Sequence, residues 1–164
     1  MNSKVIALLI VLCAIFGYAV ESTAQPARLP AGPYLDMGGK TYTSDNLKGK
    51  LVIVDFWATW CVACRASIPV LNELWQQYAA QGLVVLAISN DEDPALVRKF
   101  TDRQKMTYPI VHDPADKFSA LYQVSNLPTL FVFGADGKLL HRGNKMDAVE
   151  KEKIQTLVRQ SLAK

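Results

Sequence analysis

Apolar residues follow two different spacings along this chain, and each spacing predicts a different kind of element. Nearly uninterrupted apolar runs are typical of central strands that are covered on both faces. The strands predicted in this way lie at 51–57, 83–88, around 110–111, at 129–133 and at 138–142. The last two flank a turn at 135–137 and are expected to pair as a hairpin.

Apolar residues that recur every three or four positions predict amphipathic helices between these strands. The predicted helices are one that extends to Gln81, one capped by Asp93, a short one at 117–122 and one opened by Asp147. Pro69 lies inside the first helix and should kink it near its second turn. Pro94 directly after Asp93 is typical of a helix start.

Strands that alternate with helices predict an α/β domain, a central mixed β-sheet flanked by helices. Segments 34–37 and 40–43 surround Gly38-Gly39 and predict an additional β-hairpin at the N-terminal end of the domain. Residues 25–33 contain three prolines and a glycine and are expected to form a linker. The folded domain is therefore predicted at 34–164.

The first 24 residues have the pattern of an export signal. Lys4 is the only charge before an apolar run at 5–20. Ser22 and Ala24 place small residues where a signal peptidase would cleave, before Gln25. As a helix this run would be about 24 Å long, shorter than the roughly 30 Å of a bilayer core. A retained membrane anchor is the alternative.

Composition restricts the class of protein further. A chain of 164 residues with 50% hydrophobic and 20% charged residues is not disordered as a whole and fits one globular domain. The net charge of +3 is small and scattered. No nucleic-acid partner is therefore expected.

The chain has three cysteines, too few for a disulfide-dense scaffold. Cys13 lies inside the apolar run instead of closing it, so lipid attachment is not expected there. Cleavage of the export signal would remove Cys13. Cys61 and Cys64 would then be the only possible intrachain pair, in a compartment where disulfides persist.

The motif Cys61-Val62-Ala63-Cys64 follows a predicted buried strand and begins a predicted helix. Free N–H groups and the helix dipole favour a thiolate at this position, so the pKa of Cys61 should be lowered. Cys61 is the predicted attacking thiolate, and Cys64, one turn further, would resolve the mixed disulfide.

Three other interpretations of the cysteines are less favoured by the sequence. A structural disulfide closing so short a loop would add little stability. A copper site would need a further ligand, for which only His112 and His141 are available among histidines. A peroxidase motif of the form Pro-xxx-Thr/Ser-xx-Cys is not present at Cys61. Redox exchange is therefore favoured, with a copper-binding metallochaperone as the rival from another class.

Residues 56–64, Phe-Trp-Ala-Thr-Trp-Cys-Val-Ala-Cys, together with Leu127-Pro128-Thr129, resemble the thioredoxin superfamily. Within it the chain is similar to the exported TlpA/ResA-like thiol-disulfide oxidoreductases, from about residue 34 to the C-terminus. The resemblance implies a thioredoxin-like fold and a disulfide between the two cysteines of the motif. No cofactor and no metal are expected.

The resemblance also implies roles for residues outside the motif. Pro128 would be a cis-proline that lies against the cysteine pair and presents backbone to a substrate chain. Asp55 matches a buried acid that moves a proton to or from Cys64, and its apolar neighbours should raise its pKa. Trp57 is expected in the core, and Trp60 as a lid beside the pair.

Two positions depart from the family pattern. Ala63 stands where many relatives have proline, which should alter the redox potential in a direction that the sequence does not indicate. Ser67 stands three residues after Cys64, where ResA-like members have a glutamate. The acid role is therefore expected to rest on Asp55 alone.

The sequence thus predicts an exported, periplasmic thiol-disulfide oxidoreductase that reduces disulfides in partner proteins through Cys61 and Cys64. The direction follows from the resemblance, and the same pair could act as a disulfide oxidase or isomerase. The expected partners are protein thiol or disulfide substrates and a membrane thiol-disulfide electron donor. A monomer is expected, and membrane anchoring with the domain facing the periplasm is the alternative location.

Overall fold

The computed structural model describes residues 25–163. The predicted export signal and Cys13 lie outside the described residues. Within 25–163, no helix is both long enough and apolar enough to cross a membrane.

The predicted order of strands and helices is confirmed, with ends that differ by a few residues. The strands are β1 (Tyr34–Leu35), β2 (Thr41–Tyr42), β3 (Leu51–Trp57), β4 (Leu83–Ser89), β5 (Ile110–His112), β6 (Thr129–Phe133) and β7 (Leu139–Gly143). The helices are α1 (Ser67–Tyr78), α2 (Pro94–Gln104), α3 (Lys117–Tyr122) and α4 (Ala148–Leu162). Short 3-10 helices at Ala63–Ala66 and Ala79–Gln81 flank α1.

Strand β3 is the centre of a five-stranded mixed sheet with the order β5-β4-β3-β6-β7. It pairs in parallel with β4, which pairs in parallel with β5, while β6 and β7 run antiparallel to their neighbours. Every residue of β3 is buried, as its apolar run predicts. Strands β1 and β2 form the predicted hairpin as a separate antiparallel pair.

Alternate side chains of β3 enter two different cores, one on each face of the sheet. Ile53 and Trp57 belong to a core that includes buried residues of α1, α2 and α4. Val54 and Phe56 belong to a second core formed with α3 and the N-terminal hairpin. The cysteine pair lies in the first core.

The stretch expected to be a linker (25–33) lies against the sheet. The N–H of Leu139 in β7 donates to the carbonyl oxygen of Ala27 at 2.9 Å. Further along the chain, the N–H of Met37 donates to the carbonyl oxygen of Ile110 in β5 at 2.8 Å. The N-terminal segment therefore contacts both outer strands, whose edge groups would otherwise be open to other chains, and the folded domain begins before residue 34.

The kink expected at Pro69 stays a prediction, and the change of helix type near it lies between Ala66 and Ser67, before the proline. The 3-10 helix Ala63–Ala66 continues directly into α1 at Ser67. Pro69 is then the third residue of α1, where a missing N–H removes no bond within the helix.

The packing of Leu29 gives a test of this arrangement. Leu29 is 8% exposed and belongs to the second core, whereas Leu35 is 58% exposed. We expect Leu29→Ala to lower the free energy of unfolding by about 2 kcal/mol, because it leaves a cavity under the N-terminal segment. Leu35→Ala, the matched control, should change it by less than about 0.5 kcal/mol. Equal effects in urea denaturation would mean that this segment is not docked in solution.

Candidate active site

Cys61 and Cys64 lie just beyond the C-terminal end of β3 and are joined by a disulfide, with their Cα atoms 5.4 Å apart. Cys64 belongs to the 3-10 helix that leads into α1, and Cys61 precedes that helix. The central strand and the helix after it thus fix both ends of the motif. The pair is held by rigid elements instead of a free loop.

The two sulfurs have different surroundings. Cys61 is 7% exposed and Cys64 2%. The residues on either side of Cys61 project into solvent, since Trp60 is 67% exposed and Val62 72%. A partner protein would therefore reach the edge of the pair at Cys61, which supports the predicted division into an attacking and a resolving cysteine.

The backbone around the motif favours negative charge on Cys61. The N–H of Cys64 donates to the Sγ atom of Cys61 at 3.2 Å. When the disulfide is reduced, a donor directed at the sulfur stabilises the thiolate more than the thiol, which lowers the thiol pKa.

Asp55 is on the face of β3 that carries the cysteine core, and it is 2% exposed. Burial raises its pKa to about 7, and a hydrogen bond from Ser67 opposes this rise in part. The predicted burial and raised pKa are therefore confirmed. Its role in moving a proton stays a prediction.

Ser67 connects this acid to the resolving cysteine. Its Oγ atom lies 3.2 Å from Oδ2 of Asp55 and 2.8 Å from the carbonyl oxygen of Cys64. A hydroxyl carries one proton, so it can donate to either acceptor. The sequence drew attention to Ser67 only as a replaced glutamate. The spacing of three residues from Cys64 was the available signal, because serine in a helix often bonds a carbonyl one turn back.

Asp91, at the end of β4, holds the turn that precedes Cys61, and sequence reasoning missed it. Its carboxylate accepts hydrogen bonds from the N–H of Thr59 at 2.9 Å and from the hydroxyls of Thr59 and Ser89 at 2.5 and 2.7 Å. Nε2 of His112 lies 2.7 Å from its backbone oxygen. The only sequence signal was a polar cluster after a buried strand.

The peptide bond between Leu127 and Pro128 is cis, as predicted. Leu127 packs against the core that contains both cysteines. It also lines a surface cavity of about 630 Å³ together with Trp60, Asn90 and Asn126. This cavity lies beside the cysteine motif and has mixed apolar and amide lining, which suits a segment of polypeptide. The lid role of Trp60 stays a prediction.

The two histidines considered as copper ligands are engaged elsewhere. His112 contacts the backbone of Asp91, and Nε2 of His141 lies 2.5 Å from Oε1 of Glu150. In the part of the chain that the structure describes, no group of three or more His, Cys, Asp or Glu residues is arranged to hold a metal ion. The copper hypothesis therefore gains no support from the geometry.

Known proteins share this arrangement. The sequence pattern of the AhpC/TSA family matches residues 20–142, which is most of the chain. The chain belongs to the AhpC/TSA family. The match includes the cysteine motif, the buried Asp55 and the cis-proline segment.

The AhpC/TSA relatives include proteins named thiol-disulfide oxidoreductase ResA. The chain is 35% identical over 141 residues to that of Geobacillus kaustophilus, covering 81% of both chains. It is 30% identical over 143 residues to that of Bacillus cereus, covering 82% of this chain and 83% of the relative. A solved structure described as a thiol:disulfide interchange protein DsbE from Chlorobium tepidum superposes with a TM-score of 0.77 at 27% identity, covering 85% of this chain and 98% of the other. These comparisons confirm the predicted thioredoxin-like fold and the resemblance to thiol-disulfide oxidoreductases.

The buried acid predicts how stability depends on pH. The pKa of Asp55 is about 7 in the fold, against 3.8 for an ordinary aspartate. Between these values the folded protein keeps a proton that the unfolded chain has released, so stability falls as the pH rises from about 4 to about 7. We expect Asp55→Asn to be more stable than the unsubstituted protein at pH 8, by up to about 4 kcal/mol.

The advantage of Asp55→Asn should be nearly lost at pH 3, which lies below the pKa of the carboxyl group in both the folded and the unfolded state. Denaturant unfolding of the oxidised proteins at the two pH values measures both differences. The same difference at pH 3 and pH 8 would show that ionisation of Asp55 is not the cause.

Proposed function

We propose that this protein reduces disulfides in partner proteins by thiol–disulfide exchange through Cys61 and Cys64. The observation that carries the proposal is the asymmetry of the pair. The sulfur of Cys61 receives an N–H hydrogen bond next to exposed side chains, while Cys64 is buried near Asp55. The names of the relatives and the family membership support the same chemistry.

In the first step the Cys61 thiolate attacks one sulfur of the substrate disulfide. A new S–S bond joins Cys61 to the substrate, and the second substrate sulfur leaves as a thiolate. The N–H of Cys64 that points at Cys61 stabilises the thiolate before attack.

In the second step Cys64 resolves this mixed disulfide. Its thiol proton passes to the carboxylate of Asp55, and the resulting thiolate attacks the sulfur of Cys61. The remaining substrate sulfur leaves, and the Cys61–Cys64 disulfide is formed. Two electrons have then moved from the pair to the substrate, whose two thiolates take up two protons from solvent. A pKa of about 7 suits Asp55 to this exchange, because both of its forms are populated near neutral pH.

The oxidised pair must be reduced again before another turnover. We propose a membrane thiol-disulfide protein as the electron donor, with export directed by residues 1–24 and cleavage before Gln25. The charge and apolar pattern of that segment support export to the periplasm. We propose that the domain works as a monomer, since one chain contributes both cysteines and Asp55.

A peroxidase is a weaker candidate. The Pro-xxx-Thr/Ser-xx-Cys pattern would need proline and a hydroxyl residue at the seventh and third positions before the reactive cysteine. Val54 and Ala58 occupy those positions before Cys61. A second cysteine that already closes a disulfide with Cys61 instead favours exchange with other disulfides.

Single substitutions of the two cysteines test the proposal. Cys64→Ser keeps the attacking thiolate and removes the resolving thiol, so the reaction should stop at the mixed disulfide. Incubation of the reduced variant with insulin should yield a covalent adduct at Cys61, detected by mass spectrometry under non-reducing conditions. Cys61→Ser, the matched control, should give at least tenfold less adduct, an order-of-magnitude expectation for loss of the activated nucleophile.

The unsubstituted protein should reduce insulin with dithiothreitol as the electron source and accumulate no adduct. If neither this turnover nor the Cys64→Ser adduct is observed, the proposed function is wrong. Adducts of equal yield from both variants would remove the asymmetry on which the mechanism depends.

A further inference from the structure

Three buried polar atoms in the cysteine core have no hydrogen-bond partner among the described residues. They are Oδ1 of Asp55, Nε1 of Trp57 and the hydroxyl oxygen of Tyr108. Tyr108 is 3% exposed, so bulk water does not reach its side chain freely. Buried polar groups are almost always paired with protein or with an ordered water. Asp55 and Tyr108 are the two of these residues that titrate, and each needs a partner that the described protein atoms do not supply.

The register of the sheet brings the two residues to the same place. Asp55 is opposite Ala87 in the β3–β4 pair, and Ala87 is opposite Ile110 in the β4–β5 pair. The N–H of Ala87 also donates to the carbonyl oxygen of Pro109 at 3.0 Å. Tyr108 thus enters the core two strands away from Asp55, a distance of about 10 Å between backbones at the usual strand spacing. Tyr108 lies two residues before Ile110 and belongs to the same core, and on the strand between them Ala87 presents only a methyl group to that core.

Packing and charge both place Tyr108 close to Asp55. Tyr108 belongs to the same core as Cys64 and Ala87. Burial raises the pKa of the Tyr108 hydroxyl, and the negative charge of Asp55 raises it further. The two groups are therefore near enough to interact, although they share no direct hydrogen bond.

Two other polar groups of this core could also serve Asp55. Ser67 on α1 contacts Oδ2, the other carboxylate oxygen. The indole N–H of Trp57 is a donor without a partner among the described residues, and it does not titrate. The elements α2, β6 and α4 contribute apolar side chains to this core: Val97, Phe100, Leu130, Val132, Ile154 and Val158. Tyr108 is thus the titratable side chain that faces Asp55 across the sheet.

Tyr108 also lines a surface cleft of about 410 Å³, together with Asp36, Trp75 and Arg98. The lining of this cleft includes neither cysteine. The cleft therefore lies on a part of the surface that does not include the cysteine pair.

We propose that Tyr108 is a positioning residue for Asp55, and that its hydroxyl holds one internal water against Oδ1 of the carboxylate. The water donates one hydrogen bond to the ionised carboxylate and forms a second hydrogen bond with the Tyr108 hydroxyl. This bond stabilises the charged form of Asp55, which is the form that accepts the proton of Cys64. The inference rests on the proposed function for that last step alone, since the water site itself is a property of the fold.

Tyr108→Phe tests the inference, because it removes the hydroxyl and keeps the ring. Without the water held at Oδ1, the carboxylate is less stable and the pKa of Asp55 should rise by about one pH unit. Carbon-13 NMR of the Asp55 carboxyl group in the oxidised protein measures this pKa directly. Tyr78→Phe is the matched control, since Tyr78 is partly buried against the same core, and it should leave the pKa unchanged.

The rate at which Cys64 resolves the mixed disulfide gives a second readout. The pH at which resolution by Cys64 reaches half its maximal rate should move upward in Tyr108→Phe by the same amount as the pKa. A folded Tyr108→Phe protein with an unchanged Asp55 pKa would overturn the inference, while Cys64→Ser could still form its adduct and leave the proposed function intact.

A crystal structure of the unsubstituted protein decides the matter independently of whether the variant folds. A water within hydrogen-bond distance of both Oδ1 of Asp55 and the Tyr108 hydroxyl is the expected result. Apolar side chains packed between these two atoms, with no water, would contradict it.

Discussion

The cost of placing a carboxyl group inside the central strand governs the chemistry of this site. Asp55 is buried among apolar neighbours on β3, and its pKa rises to about 7 for that reason. A solvent-exposed aspartate would stay ionised at neutral pH and could not both take and return a proton. Burial of Asp55 makes the folded protein less stable at neutral pH, and it also gives an acid that titrates near neutral pH. Ser67 limits the penalty, since its hydroxyl can donate a hydrogen bond to the carboxylate.

The same central strand gives the two cysteines their different environments. Because β3 ends at Trp57, the chain turns outward to Trp60 and then returns into the helix, which leaves Cys61 near the surface and Cys64 inside. Asp91 secures that turn through Thr59. The proposed nucleophile and the proposed resolving group are thus distinguished by backbone geometry, since both are cysteines.

Much of this could be predicted from the sequence, because it depends on local pattern. The apolar run at 51–57 predicts a buried strand, and an aspartate within it predicts a raised pKa. What could not be predicted depends on contacts between distant segments. The bonds of Asp91 to Thr59 and the approach of Tyr108 to Asp55 follow from the register of β3, β4 and β5. The docking of Ala27 on β7 was hidden by a proline-rich composition that usually indicates a linker.

The most direct test of a reducing role is the reduction potential of the Cys61–Cys64 couple. Equilibration of the protein with glutathione mixtures at pH 7, followed by quantification of the free thiols, gives this value. The account predicts a potential nearer to the roughly −270 mV of thioredoxin than to the roughly −120 mV of a strong oxidant. A potential near the oxidising end would contradict it and identify a disulfide donor or isomerase.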